Sequence, residues 1–195
     1  MTTSLVPVKV VIAGGFGVGK TTFVGAISDI VPLTTEAALT TVSEPTDHTP
    51  EGATKTTTTV ALDFGRIALG DDLVLYVFGV PGQQRFHFLW PDLSRGAIGA
   101  VVLVDTRRIE DSFASVDWFE RMGLPFVVGV NCFSDAPRYT VADVREALAV
   151  RPDVPVLLCD ARDRESTKQA LIALVEHALA AASGPAASPS SAFSR

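Results

Sequence analysis

Positive charge is scarce in this chain. Lys and Arg number 16 against 22 Asp and Glu, a net charge of −6, so neither wrapping nucleic acid nor adhering to anionic lipid by charge alone is expected. Cysteine is nearly absent. Cys132 and Cys159 stand at the ends of apolar runs and in no metal-ligand spacing. They read as reduced, buried thiols of a cytosolic protein, and they leave one disulfide open. Long apolar runs are missing too, none approaching the about 20 residues that a bilayer-spanning helix needs. Residues 1–11 hold one lysine and no apolar core of a signal peptide. Ser194-Arg195 makes no prenylation box, and no Gly follows Met1. The expectation is a cytoplasmic protein without direct membrane insertion, associated with a membrane only through partners. No internal repeat is present.

What remains is suited to folding. Of 195 residues, 47% are hydrophobic and 19% charged, the balance of a globular domain large enough to bury a core. Strand-like apolar runs alternate with helical periodicity. Strands are expected over 6–13, 59–69, 73–78, 98–104, 125–130 and 154–158. Helices are expected over 20–30, 109–122, 140–150 and 164–182, with a short one near 90–95. Gly70-Asp71-Asp72 signals a hairpin. Residues 31–55, polar and rich in Thr and Pro, read as a long loop. This order implies a three-layer α/β fold, with a mostly parallel six-stranded sheet, one antiparallel edge strand and helices on both faces. Residues 1–182 make the domain, and 183–195, rich in Ser, Pro and Ala, a flexible tail.

Gly14-Gly15-Phe16-Gly17-Val18-Gly19-Lys20-Thr21 fits G-x-x-x-x-G-K-[ST] between a predicted strand and a predicted helix, the context of a phosphate-binding P-loop. Gly14, Gly15, Gly17 and Gly19, with Val18 among them, let backbone N–H groups turn inward around a β-phosphate. The helix start at Lys20, Thr21 and Thr22 adds its positive dipole end. Lys20 is expected to reach the β- and γ-phosphates, and the Thr21 hydroxyl to ligate Mg2+. The implied chemistry is nucleoside triphosphate binding on a P-loop NTPase fold.

From this loop onward the chain resembles small Ras-like GTPases, over about residues 6–182. Leu62-Asp63-Phe64-Gly65-Arg66 and Phe78-Gly79-Val80-Pro81-Gly82-Gln83-Gln84-Arg85-Phe86 are similar to the GTPases of bacterial signalling operons called conservons. The bacterial cell-polarity GTPases are more distant relatives. The resemblance implies a guanine-nucleotide switch that binds GTP and GDP with Mg2+ and hydrolyses GTP slowly. It also implies work with a Roadblock/LC7-type protein and a histidine-kinase-like sensor. A first switch segment would lie within 31–59, with Thr59 as the hydroxyl on Mg2+ and the γ-phosphate. Thr56, Thr57 and Thr58 stand beside it, and a threonine run is also plain β-propensity. The second switch would be 81–86, with the Gly82 N–H on the γ-phosphate and Gln83 orienting the attacking water. Asn131, Cys132 and Asp135 would meet the base, as would Asp160, Ala161 and Arg162, the Ala161 N–H facing the guanine O6.

Three departures from the family pattern bear on chemistry. Gly79 stands where Ras-like proteins usually carry an Asp that holds Mg2+ through water. Thr58 stands where the polarity GTPases have an intrinsic arginine. Both argue for weak intrinsic catalysis, an arginine finger being worth about 10³ to 10⁵ in rate. The Asn-Lys-x-Asp base motif becomes Asn131-Cys132-Phe133-Ser134, with Asp135 one place late. A serine is no charged bidentate acceptor, so either Asp135 turns in or guanine selectivity is weak.

Asp63 offers a replacement for the missing acid. If Gly70-Asp71-Asp72 is a three-residue loop, Leu69 pairs with Leu73, and Asp63 faces Gly79 on one sheet face. A two-residue turn would point Asp63 away, and pairing with an Arg or a partner is the alternative use of this carboxylate. Two rivals accompany the switch reading. One is a module that binds nucleotide with little or no hydrolysis, favoured by Gly79 and Thr58. The other is an adenine-nucleotide P-loop ATPase or kinase, favoured by the altered Asn131 loop. Phe86, Phe88, Leu89 and Trp90 fit a partner surface or a core equally well.

Overall fold

A computed structural model describes residues 5–41 and 56–183, with side chains except at 35–41 and 56–59. The elements in chain order are β1 (Val6–Gly14), α1 (Lys20–Ile27), β2 (Leu33–Thr41), β3 (Thr56–Leu69), β4 (Leu73–Gly79), α2 (Trp90–Ser94), β5 (Ala97–Val104), α3 (Phe113–Met122), β6 (Phe126–Asn131), α4 (Val141–Leu148), β7 (Val156–Cys159) and α5 (Arg164–Ser183), with 3-10 turns at Gln84–Leu89 and Ile109–Ser112. The expected tail lies outside the described residues from 184 on.

The strands form one sheet in the order β2-β3-β4-β1-β5-β6-β7. Strands β4, β1, β5, β6 and β7 run parallel, while β3 runs antiparallel to both β2 and β4. The sheet has seven strands where the sequence pattern gives six. The additional one, β2, falls in the stretch read as a loop, where Leu33–Thr41 pairs with Thr56–Phe64. Its threonines suit a pleated edge, but no hydrophobic alternation marks it.

Strand β1 shows why the parallel strands read as continuous apolar runs. Val10 and Ile12 pack on one face with Phe23, Val24, Leu171 and Leu174, beneath α1 and α5. Val11 and Ala13 pack on the other with Trp90, Phe119, Phe126 and Val144, beneath α2, α3 and α4. Helix α1 stops at Ile27, three residues short of the end that the sequence pattern gives it. Ser28 and Asp29 are drawn to β3 instead: Ser28 Oγ accepts from Arg66 N, Asp29 N donates to Arg66 O, and Asp29 Oδ2 accepts from Ala68 N. The expected Thr140 cap is present as a reciprocal capping box with Asp143.

Strand β1 is the point where the order reverses, with β4 on one side and β5 on the other. Ligands of open α/β sheets bind outside the carboxyl ends of the strands at such a point. The loops after β1, β4, β6 and β7 all emerge there.

Candidate functional site

Two adjoining cavities lie at this end of the sheet. The first, of about 370 Å3, is lined by Lys20, Thr21 and Thr22 of the P-loop, Asp63 of β3, and Gly82, Gln83 and Arg85 after β4. The second, of about 420 Å3, is lined by Asn131, Cys132, Ser134, Asp160 and Arg162, with Phe133 and Tyr139 among them.

The P-loop wraps the start of α1. Lys20 Nζ bonds to the Gly14 and Gly15 carbonyls at 3.0 and 2.6 Å, so its ammonium sits on the loop that would hold phosphate. Burial pulls it from the ordinary 10.5 down to about 8, and the Asp63 carboxylate holds it up against that fall. Gly19 has φ 105, and a Cβ there would stand 2.6 Å from Asn131 Nδ2; only glycine allows that approach. Gly82 needs the same freedom, since its Cβ would lie 2.4 Å from the Gly14 carbonyl oxygen. The loop after β4 is therefore laid directly on the P-loop.

Asp63 is paired with Gly79 across β3 and β4, and Leu69 with Leu73. The three-residue turn is the one present. Asp63 is 8% exposed. Its Oδ2 accepts from the Thr21 hydroxyl at 2.6 Å, and its Oδ1 from the Thr34 hydroxyl at 3.2 Å. A Cβ at Gly79 would stand 3.1 Å from Asp63 Oδ2, so the glycine leaves this carboxylate its place. Among the described residues no group of three or more His, Cys, Asp or Glu side chains is placed to hold a metal ion. Mg2+ does not require one: it is usually held by one or two carboxylates, waters and substrate phosphates. A hydroxyl and a carboxylate beside a phosphate loop fit that donor set.

Thr34 is a contact absent from the sequence-based expectations, because it belongs to the strand taken for loop. Thr59 lies on β3 opposite Ala38, and its side chain is outside the described residues.

Asn131 ties the two cavities together. Its Nδ2 donates to Val18 O at 2.8 Å, and its Oδ1 accepts from Ala161 N at 3.0 Å. The Ala161 N–H expected to face a base is thus engaged by Asn131 in this structure. Arg162 closes on Asp160 through Nε and Nη2, which holds the Asp160 carboxyl at about 2.

Asp135 is not brought to this cavity. Arg107 Nη1 holds both of its oxygens, at 2.8 and 2.7 Å. Arg107 is anchored in turn by the buried Asp105 and stacked 3.9 Å over the Phe133 ring. In this structure Asp135 is therefore held on Arg107, away from the lining of the second cavity.

The two cysteines are free. Cys159 is buried, but Cys132 is exposed, contrary to the expectation that both are buried, because it follows the last residue of β6 and lines the second cavity. The aromatic segment after β4 divides. Phe86 and Trp90 are core, and Phe88 is 64% exposed. Trp90 Nε1 donates to Pro81 O at 3.0 Å. His87 stacks on Trp90 at 3.9 Å, and burial pulls its imidazole below the ordinary range against a hydrogen bond to the Gly82 backbone.

The family described as "Conserved hypothetical ATP binding protein" matches residues 12–181. Among curated proteins, the Ras-related protein SEC4 of Candida albicans is 28% identical over 120 residues, a stretch covering 56% of this chain and 57% of that protein. The chain thus matches little more than half the length of this relative. Among solved structures, the FeoB G-domain from Methanococcus jannaschii aligns with TM-score 0.59 at 14% identity, covering 89% of this chain and 98% of that one. The cytosolic domain of the T. maritima FeoB iron transporter in its GMPPNP form aligns at 0.61 and 16% identity, covering 88% and 64%. At such identities the likeness is one of fold. Among the described residues, no helix is long and apolar enough to cross a membrane.

Proposed function

We propose that this chain, which belongs to the family described as "Conserved hypothetical ATP binding protein", is a guanine-nucleotide switch that hydrolyses GTP slowly and signals through the segments 31–59 and 80–95. One observation carries the reading: the P-loop, the Asp63 strand and the loop after β4 line a single cleft, with Lys20 and Thr21 inside it. That is the equipment a triphosphate needs. The similarity to a Ras-related protein and to FeoB domains solved in GDP and GMPPNP forms supports guanine.

In this reading Lys20 leaves the Gly14 and Gly15 carbonyls for the β- and γ-phosphates, and the Gly82 N–H turns to the γ-phosphate. Thr21, Asp63 and Thr59 would hold Mg2+, through two hydroxyls and a carboxylate. The ion, when bound, offsets phosphate charge. Gln83 places the attacking water. Asn131 and Cys132, with Asp160, Ala161 and Arg162, enclose the base. A γ-phosphate would draw Gly82 and Thr59 toward it and so be legible to protein partners through both segments. By resemblance these are a Roadblock/LC7-type protein and a histidine-kinase-like sensor, in a cytoplasmic conservon-type system.

A second reading, adenine-nucleotide use, is favoured by the family description and by a base cavity whose one lining carboxylate, Asp160, is paired with Arg162. Chromatography of nucleotide released from the purified protein separates the two: guanine supports the first and adenine the second. Lys20→Ala is expected to weaken triphosphate binding at least about tenfold, about 1.4 kcal/mol. Unchanged binding by calorimetry would remove the P-loop assignment.

A further inference from the structure

Arg85 is a cation at an anion site without an anion of its own. It stands two residues after Gln83, at the start of the 3-10 turn Gln84–Leu89, and lines the cleft with Lys20, Thr21, Gly82 and Gln83. Its Nε donates to Gln83 Oε1 at 2.8 Å, and its guanidinium lies 4.7 Å over the ring of the buried Phe86. Among the described residues Arg95, Arg107, Arg108, Arg151, Arg162 and Arg164 each pair with a carboxylate, whereas Arg66, Arg121, Arg138 and Arg145 do not, but none of those four lines this cleft. Among the described residues Arg85 forms no such pair; its polar partner is a neutral amide. The side chain is exposed, so little opposes its movement into the cleft.

We propose that Arg85 is an arginine supplied in cis to the γ-phosphate, and that its departure from Gln83 readies that glutamine for the attacking water. The proposal rests on the switch reading above. An arginine beside a transferring phosphoryl group offsets charge that grows in the transition state. A guanidinium bound to an amide oxygen exchanges a weak partner for a strong one when it meets phosphate. While Arg85 Nε occupies Gln83 Oε1, that oxygen is partly used. Once Arg85 turns to the phosphate, the oxygen is free to accept from water.

The water oxygen forms a bond to the γ-phosphorus as the bond to the β–γ bridging oxygen breaks. The electron pair stays on the diphosphate, and the water proton ends on the released phosphate. Nothing is oxidised or reduced. Arg85 thus fills, from the second switch, the role left open by Thr58 in the first.

The test uses the full chain and the variants Arg85→Ala, Arg85→Lys and Gln83→Ala. It reads GDP and GMPPNP affinity, single-turnover GTP hydrolysis, and retention of GDP with aluminium fluoride, a mimic of the transferring group. Arg85→Ala is expected to keep GDP affinity within about twofold, to lose at least about tenfold in hydrolysis and to lose aluminium fluoride retention. Arg85→Lys recovers part of each, since it returns the charge without the fork. Combined with Gln83→Ala, the arginine change is expected to cost retention beyond the single Gln83 change.

Wild-type rates and retention in Arg85→Ala overturn the proposal. So does an equal loss of GDP affinity and thermal stability, which marks a structural residue. A wild-type chain that binds GMPPNP yet neither hydrolyses GTP nor retains aluminium fluoride overturns it too, and leaves the switch as a binding module. A wild-type chain that binds no nucleotide removes the switch reading itself.

Discussion

Asp63 and Gly79 face each other across β3 and β4, and the carboxylate of one occupies the room a side chain on the other would take. A Cβ at position 79 would stand 3.1 Å from both Asp63 Cβ and Asp63 Oδ2, closer than ordinary side-chain contact. A side chain at position 79 would make Asp63 give way by a few tenths of an ångström, and an aspartate on each would repel its partner. The acid on β3 also reaches Thr21, 42 residues earlier in the chain, at 2.6 Å.

Magnesium dependence should follow from that placement of Asp63 beside Thr21. Asp63→Ala should require far more Mg2+ for triphosphate binding, by at least about tenfold in the midpoint. Gly79→Asp alone should destabilise the fold, while Asp63→Ala with Gly79→Asp should recover much of the Mg2+ dependence. Magnesium titrations of GMPPNP binding decide it. Equal midpoints for wild type and Asp63→Ala would exclude a metal role for this carboxylate.

The pairing of Asp63 with Gly79 is legible in the sequence itself. A glycine-led three-residue turn sets the β3–β4 register, and side-chain alternation then carries Asp63 to Gly79. The P-loop is legible for a similar reason: local backbone demands fix its residue types. What stays hidden depends on contacts distant in sequence. Strand β2 is held by its pairing to β3 rather than by a pattern of its own, so nothing in the sequence brings Thr34 to Asp63. Asp135 looks available because the sequence does not reveal that Arg107, 28 residues away, takes it.

Thiol reactivity checks the second cavity. Cys132 is exposed and lines it. Cys159 is buried, and burial pushes its thiol up to about 11. Near pH 8 the native protein should take up one equivalent of iodoacetamide, at Cys132, and Cys159 should react only on unfolding. Bound nucleotide should slow the Cys132 reaction severalfold. Peptide mapping reads both sites, and a rate at Cys132 indifferent to nucleotide would place the base elsewhere.

Base preference should not depend on Asp135. With its carboxylate on Arg107, Asp135→Ala should leave the ratio of GMPPNP to AMPPNP affinity within about twofold of wild type, less than about 0.5 kcal/mol. Arg107→Ala should change that ratio, since it releases Asp135 and uncovers Phe133. It should also destabilise the protein by about 1 to 3 kcal/mol, leaving the buried Asp105 with only the backbone N–H of residue 107 and the longer contact to Arg108 at 3.8 Å. Calorimetry with both analogues and a denaturant titration supply the comparison. A tenfold fall in the ratio for Asp135→Ala would restore the acid to the base site.

Tryptophan fluorescence should report the second switch segment, and one residue should carry the signal. The chain has two tryptophans, Trp90 and Trp118. They meet edge to face at 5.6 Å, yet only Trp90 is bonded to the loop that would move, through Nε1 to the Pro81 carbonyl next to Gly82. If a γ-phosphate draws the Gly82 N–H, the Pro81 carbonyl shifts and the polarity around the Trp90 indole shifts with it. Exchange of GDP for GMPPNP should therefore change the emission of wild type and of Trp118→Phe, and the change should be largely lost in Trp90→Phe. The same variant removes the donor to a buried carbonyl and should cost about 1 to 3 kcal/mol of stability, whereas Trp118→Phe touches no switch bond. Each variant keeps one tryptophan, so the two spectra assign the response directly. A response that survives in Trp90→Phe and vanishes in Trp118→Phe would place the moving contact on α3 and away from the Pro81-Gly82 loop.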